Sequence, residues 1–270
     1  MKFVEEIRAG FKFFKTGRGK PLIIIHGGPG LNHKYLASHL SSLIPMRELI
    51  FIDQLGCDET LNSDGIIDAE KTYKHLKSAI EVAVGSKSYG IFAHSWGTYL
   101  ALKLCNESAS KPDELILCSP FPLNWEGLMS VWSVMNERRE NKLSADVLKK
   151  LESIDPQGSL NSAVKYLDLI RPLYVHDPKF ADQFEFFFYR MDIQMSVISS
   201  LIEFSQTALL EQLPTETLTI WGEEDFVPRS AIQPLLEKSK ETFVLKKVGH
   251  SPFVEAADLF SARIEMFFNS

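Results

Sequence analysis

YGIFAHSWGTYLAL, residues 89 to 102, runs an apolar strand-like stretch (Tyr89 to Ala93) straight into an amphipathic helical one (Thr98 to Leu104), leaving Ser95 at the corner. A helix that doubles back under its strand leaves little room, so the neighbours of the corner residue must be small. Ala93 and Gly97 meet that demand. The pattern A-H-S-W-G is the G-x-S-x-G nucleophile elbow with its first glycine relaxed to alanine. Such an elbow exposes a serine Oγ at the head of a helix, whose N-terminus favours developing negative charge. A serine capping an ordinary helix is the alternative reading of this stretch taken alone.

Working outward, short apolar runs recur between turn residues: FVEEI, FKFF, PLIII, ELIFI, YGIFA, ELILCS, TLTIW and TFVLKKV. Segments of helical period lie between many of them, near 33–44, 71–84, 96–106, 230–239 and 254–268. Strands alternating with helices predict an α/β fold with a mostly parallel sheet covered on both faces. The near-continuous isoleucines of PLIII fit a strand buried on both sides. The first two runs are joined closely enough to form an antiparallel edge hairpin. Alternation stops between about Phe121 and Leu213 and resumes at Thr217, which predicts a core of residues 1–120 and 214–270 carrying a helical cap of residues 121–213. The cap would sit where α/β sheets place their ligands, at the carboxyl ends of the strands. The aromatic run FEFFFYR (Phe184 to Arg190) is either helix core or pocket wall.

A nucleophilic Ser95 needs an acid and then a histidine later in the chain, each at a strand end. TLTIWGEEDFVP supplies Glu223, Glu224 and Asp225, and TFVLKKVGHSPF supplies His250. Asp225 is chosen because it lies deepest in its loop before Pro228. Singly, an acidic turn and a loop histidine are unremarkable; their joint occurrence in this order predicts a Ser95–His250–Asp225 triad. Asp225 would fix the tautomer, His250 would take and return the proton, and Ser95 would form an acyl-enzyme. The oxyanion hole requires two preorganised N–H groups. Trp96 supplies one and Gly28, in the loop His26-Gly27-Gly28-Pro29-Gly30, supplies the other, with Gly27 as the alternate. A phosphate loop is excluded by spacing, since neither G-x-G-x-x-G nor a terminal Lys-Ser/Thr is present.

HGGPG, DQLG, HSWG, GEEDFVP and GH, spread over nearly the whole core, resemble the α/β-hydrolase fold superfamily and, within it, the proline iminopeptidase branch. That resemblance implies release of an N-terminal proline or similar residue, with acids of the cap gripping the free amino group. Glu185 is the first candidate for that grip, and Glu126, Asp192 and Glu203 are the others. Two departures stand out: the family's D-Q-R-G-x-G appears as Asp53-Gln54-Leu55-Gly56-Cys57-Asp58, and Ala93 replaces the first elbow glycine.

The 270 residues are 45% hydrophobic and 24% charged, with a net charge of −6, which is the balance of a globular enzyme rather than a disordered chain. Scattered basic residues leave no footprint for nucleic acid or an anionic membrane. Glu5 and Glu6 interrupt any signal-like apolar start, no run reaches membrane-spanning length, and three cysteines lack metal spacing. A cytoplasmic protein with reduced thiols is expected, acting on a small-molecule or short-peptide substrate. No cofactor or metal is expected, because no H-E-x-x-H-like spacing occurs. Three functions follow: a serine hydrolase of small amides or esters, with a proline iminopeptidase-like aminopeptidase as its specific form; a carboxylesterase or carbon–carbon bond hydrolase beneath an apolar cap; and a non-catalytic receptor. Carboxylates facing the serine would distinguish the first from the second.

Overall fold

The computed structural model describes residues 2–57, 66–108, 111–183 and 185–270, so Asp58 and Phe184 lie outside the described residues. Eight strands form one sheet: β1 (Val4–Arg8), β2 (Phe11–Gly17), β3 (Pro21–Ile25), β4 (Glu48–Ile52), β5 (Gly90–His94), β6 (Glu114–Cys118), β7 (Glu216–Gly222) and β8 (Glu241–Leu245). Their order is β1-β2-β4-β3-β5-β6-β7-β8. β1 and β2 form the expected antiparallel hairpin at one edge, β2 meets β4 antiparallel, and every pairing from β4 to β8 is parallel.

The alternation inside β3 shows why both faces are covered. Leu22 and Ile24 enter one apolar cluster, Ile23 and Ile25 the other, and all four are fully buried. Helices cover the two faces: α1 (Lys34–Ala37), α2 (Ala69–Val84), α3 (Trp96–Glu107), α8 (Gln233–Lys238), α9 (Pro252–Glu255) and α10 (Ala257–Phe268). α2 starts where the Asp68 carboxylate accepts the Lys71 N–H, a side-chain N-cap, and it buries Tyr73, Leu76 and Ile80 along one stripe. Between β6 and β7 the described residues contain no named strand. They form α4 (Trp125–Lys142), α5 (Ala145–Glu152), α6 (Leu160–Ile170) and α7 (Met191–Ser199), with 3₁₀ turns between α6 and α7 and after α7. Asn124, Ser144 and Ser159 cap the first three of these through side-chain oxygens. No helix among the described residues is long and apolar enough to cross a membrane.

Candidate active site

Three strand ends converge on Ser95. Its backbone has φ 52° and ψ −124°, a left-handed conformation that costs a non-glycine residue about 1–3 kcal/mol. That turn is held by the Ser95 N–H donating to Cys118 O at 3.0 Å and by close packing at Gly97, where a Cβ would lie 2.6 Å from Ile25 O. The corner therefore has the tightness its small residues implied. Trp96 is the first residue of α3, so its N–H belongs to the helix-start donors that have no carbonyl one turn back.

β7 ends in a turn where the Asp225 N–H donates to Gly222 O at 3.0 Å and the Asp225 carboxylate accepts the Val227 N–H at 3.0 Å. The carboxylate is thereby aimed at His250, whose Nδ1 lies 2.8 and 2.9 Å from its two oxygens. His250 Nε2 lies 2.8 Å from Ser95 Oγ. Asp225 and His250 are both buried, and the Phe226 ring stacks on the imidazole at 4.0 Å between centroids. Glu223 and Glu224 point to solvent. Close contact between the two loops depends on Gly222, where a Cβ would lie 2.2 Å from Gly249 O.

The glycine loop after β3 lies opposite. The Gly27 N–H donates to Tyr35 Oη at 2.7 Å, so this amide is already engaged. Gly28 lines the cavity, at φ 52°. The Asp53-Gln54 segment knits this loop to the elbow: Gln54 Nε2 donates to His26 O at 2.7 Å and Trp96 Nε1 donates to Gln54 Oε1 at 2.9 Å. Asp53 accepts the His33 N–H at 2.7 Å and faces His33 Nδ1 at 3.0 Å. Sequence spacing gave no role to Tyr35, Gln54 or His33. His94, beside Ser95, sits within the quoted stretch, and its ring reaches both Tyr35 Oη and His250 O.

The loop bearing His250 is gripped from outside the sheet. Its own N–H donates to Tyr174 O at 2.9 Å. The Glu255 carboxylate accepts N–H groups from Gly249 at 2.6 Å, His176 at 2.7 Å and Asp177 at 3.3 Å. Burial pushes the Glu255 carboxyl above the usual carboxylate range, against the lowering effect of those amides.

Ser95, Trp96, Gly28 and His250 open on a cavity of about 340 Å³. Its wall is aromatic and aliphatic, with Phe121, Tyr166, Phe186 and Phe226 among its residues, and Asn136 and Gln194 as its carboxamides. Among the described residues no Asp, Glu, Lys or Arg lines it. Trp132 and Met195, which line it while 49% and 48% exposed, form its mouth. Glu185 is exposed and lies outside this wall, and Glu126, Asp192 and Glu203 are likewise exposed. The physical reason is the alternation along 185–189: Phe186, Phe188 and Tyr189 turn inward, which leaves Glu185 and Phe187 outside. Asp192 pairs with the Arg190 guanidinium. The expected amine-binding acid thus has no counterpart among the named candidates.

The sequence matches the profile of the alpha/beta hydrolase family over residues 22–263. It is 27% identical to the proline iminopeptidase of Heyndrickxia coagulans over 284 aligned positions, covering 96% of this chain and 94% of that protein. Among solved structures it is similar to an esterase from Exiguobacterium antarcticum, with a TM-score of 0.71, 16% identity and 99% of each chain covered. It is also similar to a meta-cleavage product hydrolase from Pseudomonas fluorescens, with a TM-score of 0.66, 22% identity, and 98% of this chain and 97% of that one covered. At these identities the two structures speak for the fold.

Proposed function

Because the chain belongs to the alpha/beta hydrolase family, we propose that it is a serine hydrolase that cleaves small, uncharged esters or amides through Ser95, His250 and Asp225. The observation that carries this reading is the hydrogen-bonded relay from Asp225 through His250 to Ser95 Oγ, opening on a cavity whose wall, among the described residues, has no Asp, Glu, Lys or Arg.

In this mechanism His250 Nε2 takes the Ser95 proton as Oγ attacks the substrate carbonyl carbon, and Asp225 supports the imidazolium. Negative charge develops on the carbonyl oxygen, which the N–H groups of Trp96 and Gly28 accommodate. Collapse of the tetrahedral intermediate breaks the bond to the leaving group, which receives the proton from His250. Water then repeats the sequence on the acyl-enzyme, releasing the acid and restoring Ser95. Residues 121–213 act as the cap: they supply Phe121, Trp132, Tyr166 and Met195 to the cavity wall and set which acyl group fits.

A second reading, an aminopeptidase acting on a free N-terminus, has the support of the Heyndrickxia coagulans iminopeptidase similarity. It asks for a carboxylate near the serine, because an ammonium ion buried without a partner costs several kcal/mol. Among the described residues the cavity wall provides none. A fluorophosphonate probe tests the shared chemistry: it should label Ser95 in wild-type protein and leave Ser95→Ala unlabelled. Equal labelling of both would refute the serine mechanism. A panel of short acyl 4-nitrophenyl esters against prolyl and alanyl amides then separates the two readings.

A further inference from the structure

Resting on the serine hydrolase reading, we propose that Tyr35 and His94 are positioning residues, joining the oxyanion loop to the backbone of the catalytic histidine through one directed hydrogen-bond chain. The Gly27 N–H donates to Tyr35 Oη at 2.7 Å, Tyr35 Oη lies 2.7 Å from His94 Nδ1, and His94 Nε2 lies 3.1 Å from His250 O. Tyr35 and His94 are each 4% exposed.

Only one proton order satisfies every member. An amide N–H can only donate and a carbonyl oxygen can only accept, so the two ends of the chain fix its middle. The Tyr35 oxygen accepts from Gly27, and its own proton must go to His94 Nδ1. His94 then carries its single proton on Nε2, where it donates to His250 O. A cationic His94 would set an Nδ1–H against the Tyr35 hydroxyl and take away the acceptor to which that hydroxyl donates. Its titratable neighbours are Tyr35, His250 and His26, and the Phe253 ring packs edge-on at 5.1 Å. Burial first, and His250 next, hold His94 well below the ordinary histidine range, while burial holds the Tyr35 hydroxyl well above its own.

The consequence is geometric coupling of two parts the reaction needs together. With its N–H taken up by Tyr35, Gly27 is fixed in orientation and the donor offered to substrate becomes Gly28. With its N–H on Tyr174 and its carbonyl on His94, the His250 backbone is gripped on both sides. A Cβ at Gly27 would lie 2.8 Å from His94 Nδ1 and 2.9 Å from Tyr35 Oη, so the loop rests directly on the chain.

The test has a spectroscopic arm and a kinetic arm. Long-range ¹H–¹⁵N spectra of the imidazoles, with His94 assigned by His94→Gln, should show a neutral Nε2–H tautomer unchanged from pH 8 to 5. An Nδ1–H tautomer, or ordinary titration near pH 6.5, would overturn the proposal. Tyr35→Phe should lower kcat for a neutral ester about tenfold or more, since displacing an oxyanion donor acts on the transition state. It should weaken a trifluoromethyl ketone, which forms a tetrahedral adduct on Ser95, by the same factor, and leave KM within about threefold. A folded Tyr35→Phe with unchanged kcat and ketone affinity refutes the coupling. If Tyr35→Phe does not fold, the same measurements on His94→Gln decide. Wild-type protein that the fluorophosphonate never labels would remove the hydrolase reading and this proposal together, whereas a labelled wild type beside an unaffected variant removes the proposal alone.

Discussion

Placing one negative charge in the cavity should reverse its preference between neutral and cationic substrates, and Gln194→Glu is the cleanest way to place it. Gln194 lines the cavity, and its Oε1 accepts the Tyr189 hydroxyl at 2.6 Å. A glutamate of the same shape keeps that hydrogen bond and adds a charge. A sphere of 340 Å³ is about 9 Å across, so an ammonium bound inside would lie roughly 5–8 Å from the new carboxylate, worth about 2–3 kcal/mol at an effective dielectric of about 20. That corresponds to about 30- to 150-fold in kcat/KM. The assay compares alanyl and prolyl 4-nitroanilides with their N-acetylated counterparts in wild type and variant. Wild type should favour the acetylated, uncharged compounds, and Gln194→Glu should raise the free-amine to acetylated ratio by that factor. Wild-type protein that turns over free amines as well as blocked ones would refute the reasoning, as would a variant whose ratio does not move.

Asp225→Asn should retain the fold and lose about four orders of magnitude in kcat, because the amide no longer holds the productive His250 tautomer; near-normal turnover would transfer that role to another acid. Stability should fall as pH drops from 6.5 to 5.5. Burial holds His26 below and His94 well below the ordinary histidine range in the folded state, so the unfolded chain binds more protons there, and two such groups can remove at most about 2.7 kcal/mol per pH unit. Urea unfolding at pH 7.0 and 5.5 measures this, and equal stabilities would contradict it. Cys57, Cys105 and Cys118 are buried, which pushes their thiols up, Cys105 to about 12. A disulfide reagent at pH 8 should therefore titrate them only after guanidinium unfolding, and rapid reaction in native protein would show the burial to be wrong.

The strands were legible because each is a short apolar run whose ends carry turn residues, and all eight runs became strands. The helical segments 71–84 and 96–106 are legible from their apolar stripes and return as α2 and α3, the first with a side-chain cap at Asp68. The segment 33–44 was read as one helix, whereas it changes at Ser38 from α-helix to a tighter 3₁₀ form, with the His33 N–H tied to Asp53. That tether comes from twenty residues away and leaves no local periodic signal. Chain order, with the place of Asp225 deep in its loop before Pro228, suffices to name Ser95, Asp225 and His250, which the structure brings together. The Tyr35–His94 chain and the Glu255 grip join residues far apart in sequence, and no spacing rule encodes them. Glu185 lies outside the cavity wall for a related reason: within an aromatic run, which residues face inward is settled by what packs against them.

The Glu255 carboxylate, bridging Gly249 to the amides of His176 and Asp177, has a consequence for traffic through the enzyme. Together with the Tyr174 carbonyl on the His250 amide, it bolts residues 174–177 to the loop that carries His250. Swinging that helical roof open as a rigid door would drag His250 off Ser95, so an open enzyme would be a disarmed one. On the proposed hydrolase reading, passage would then fall to rotation of Trp132 and Met195 at the rim, on the fast timescale of exposed side chains. Reactants and products would file past two side chains rather than through an opened roof.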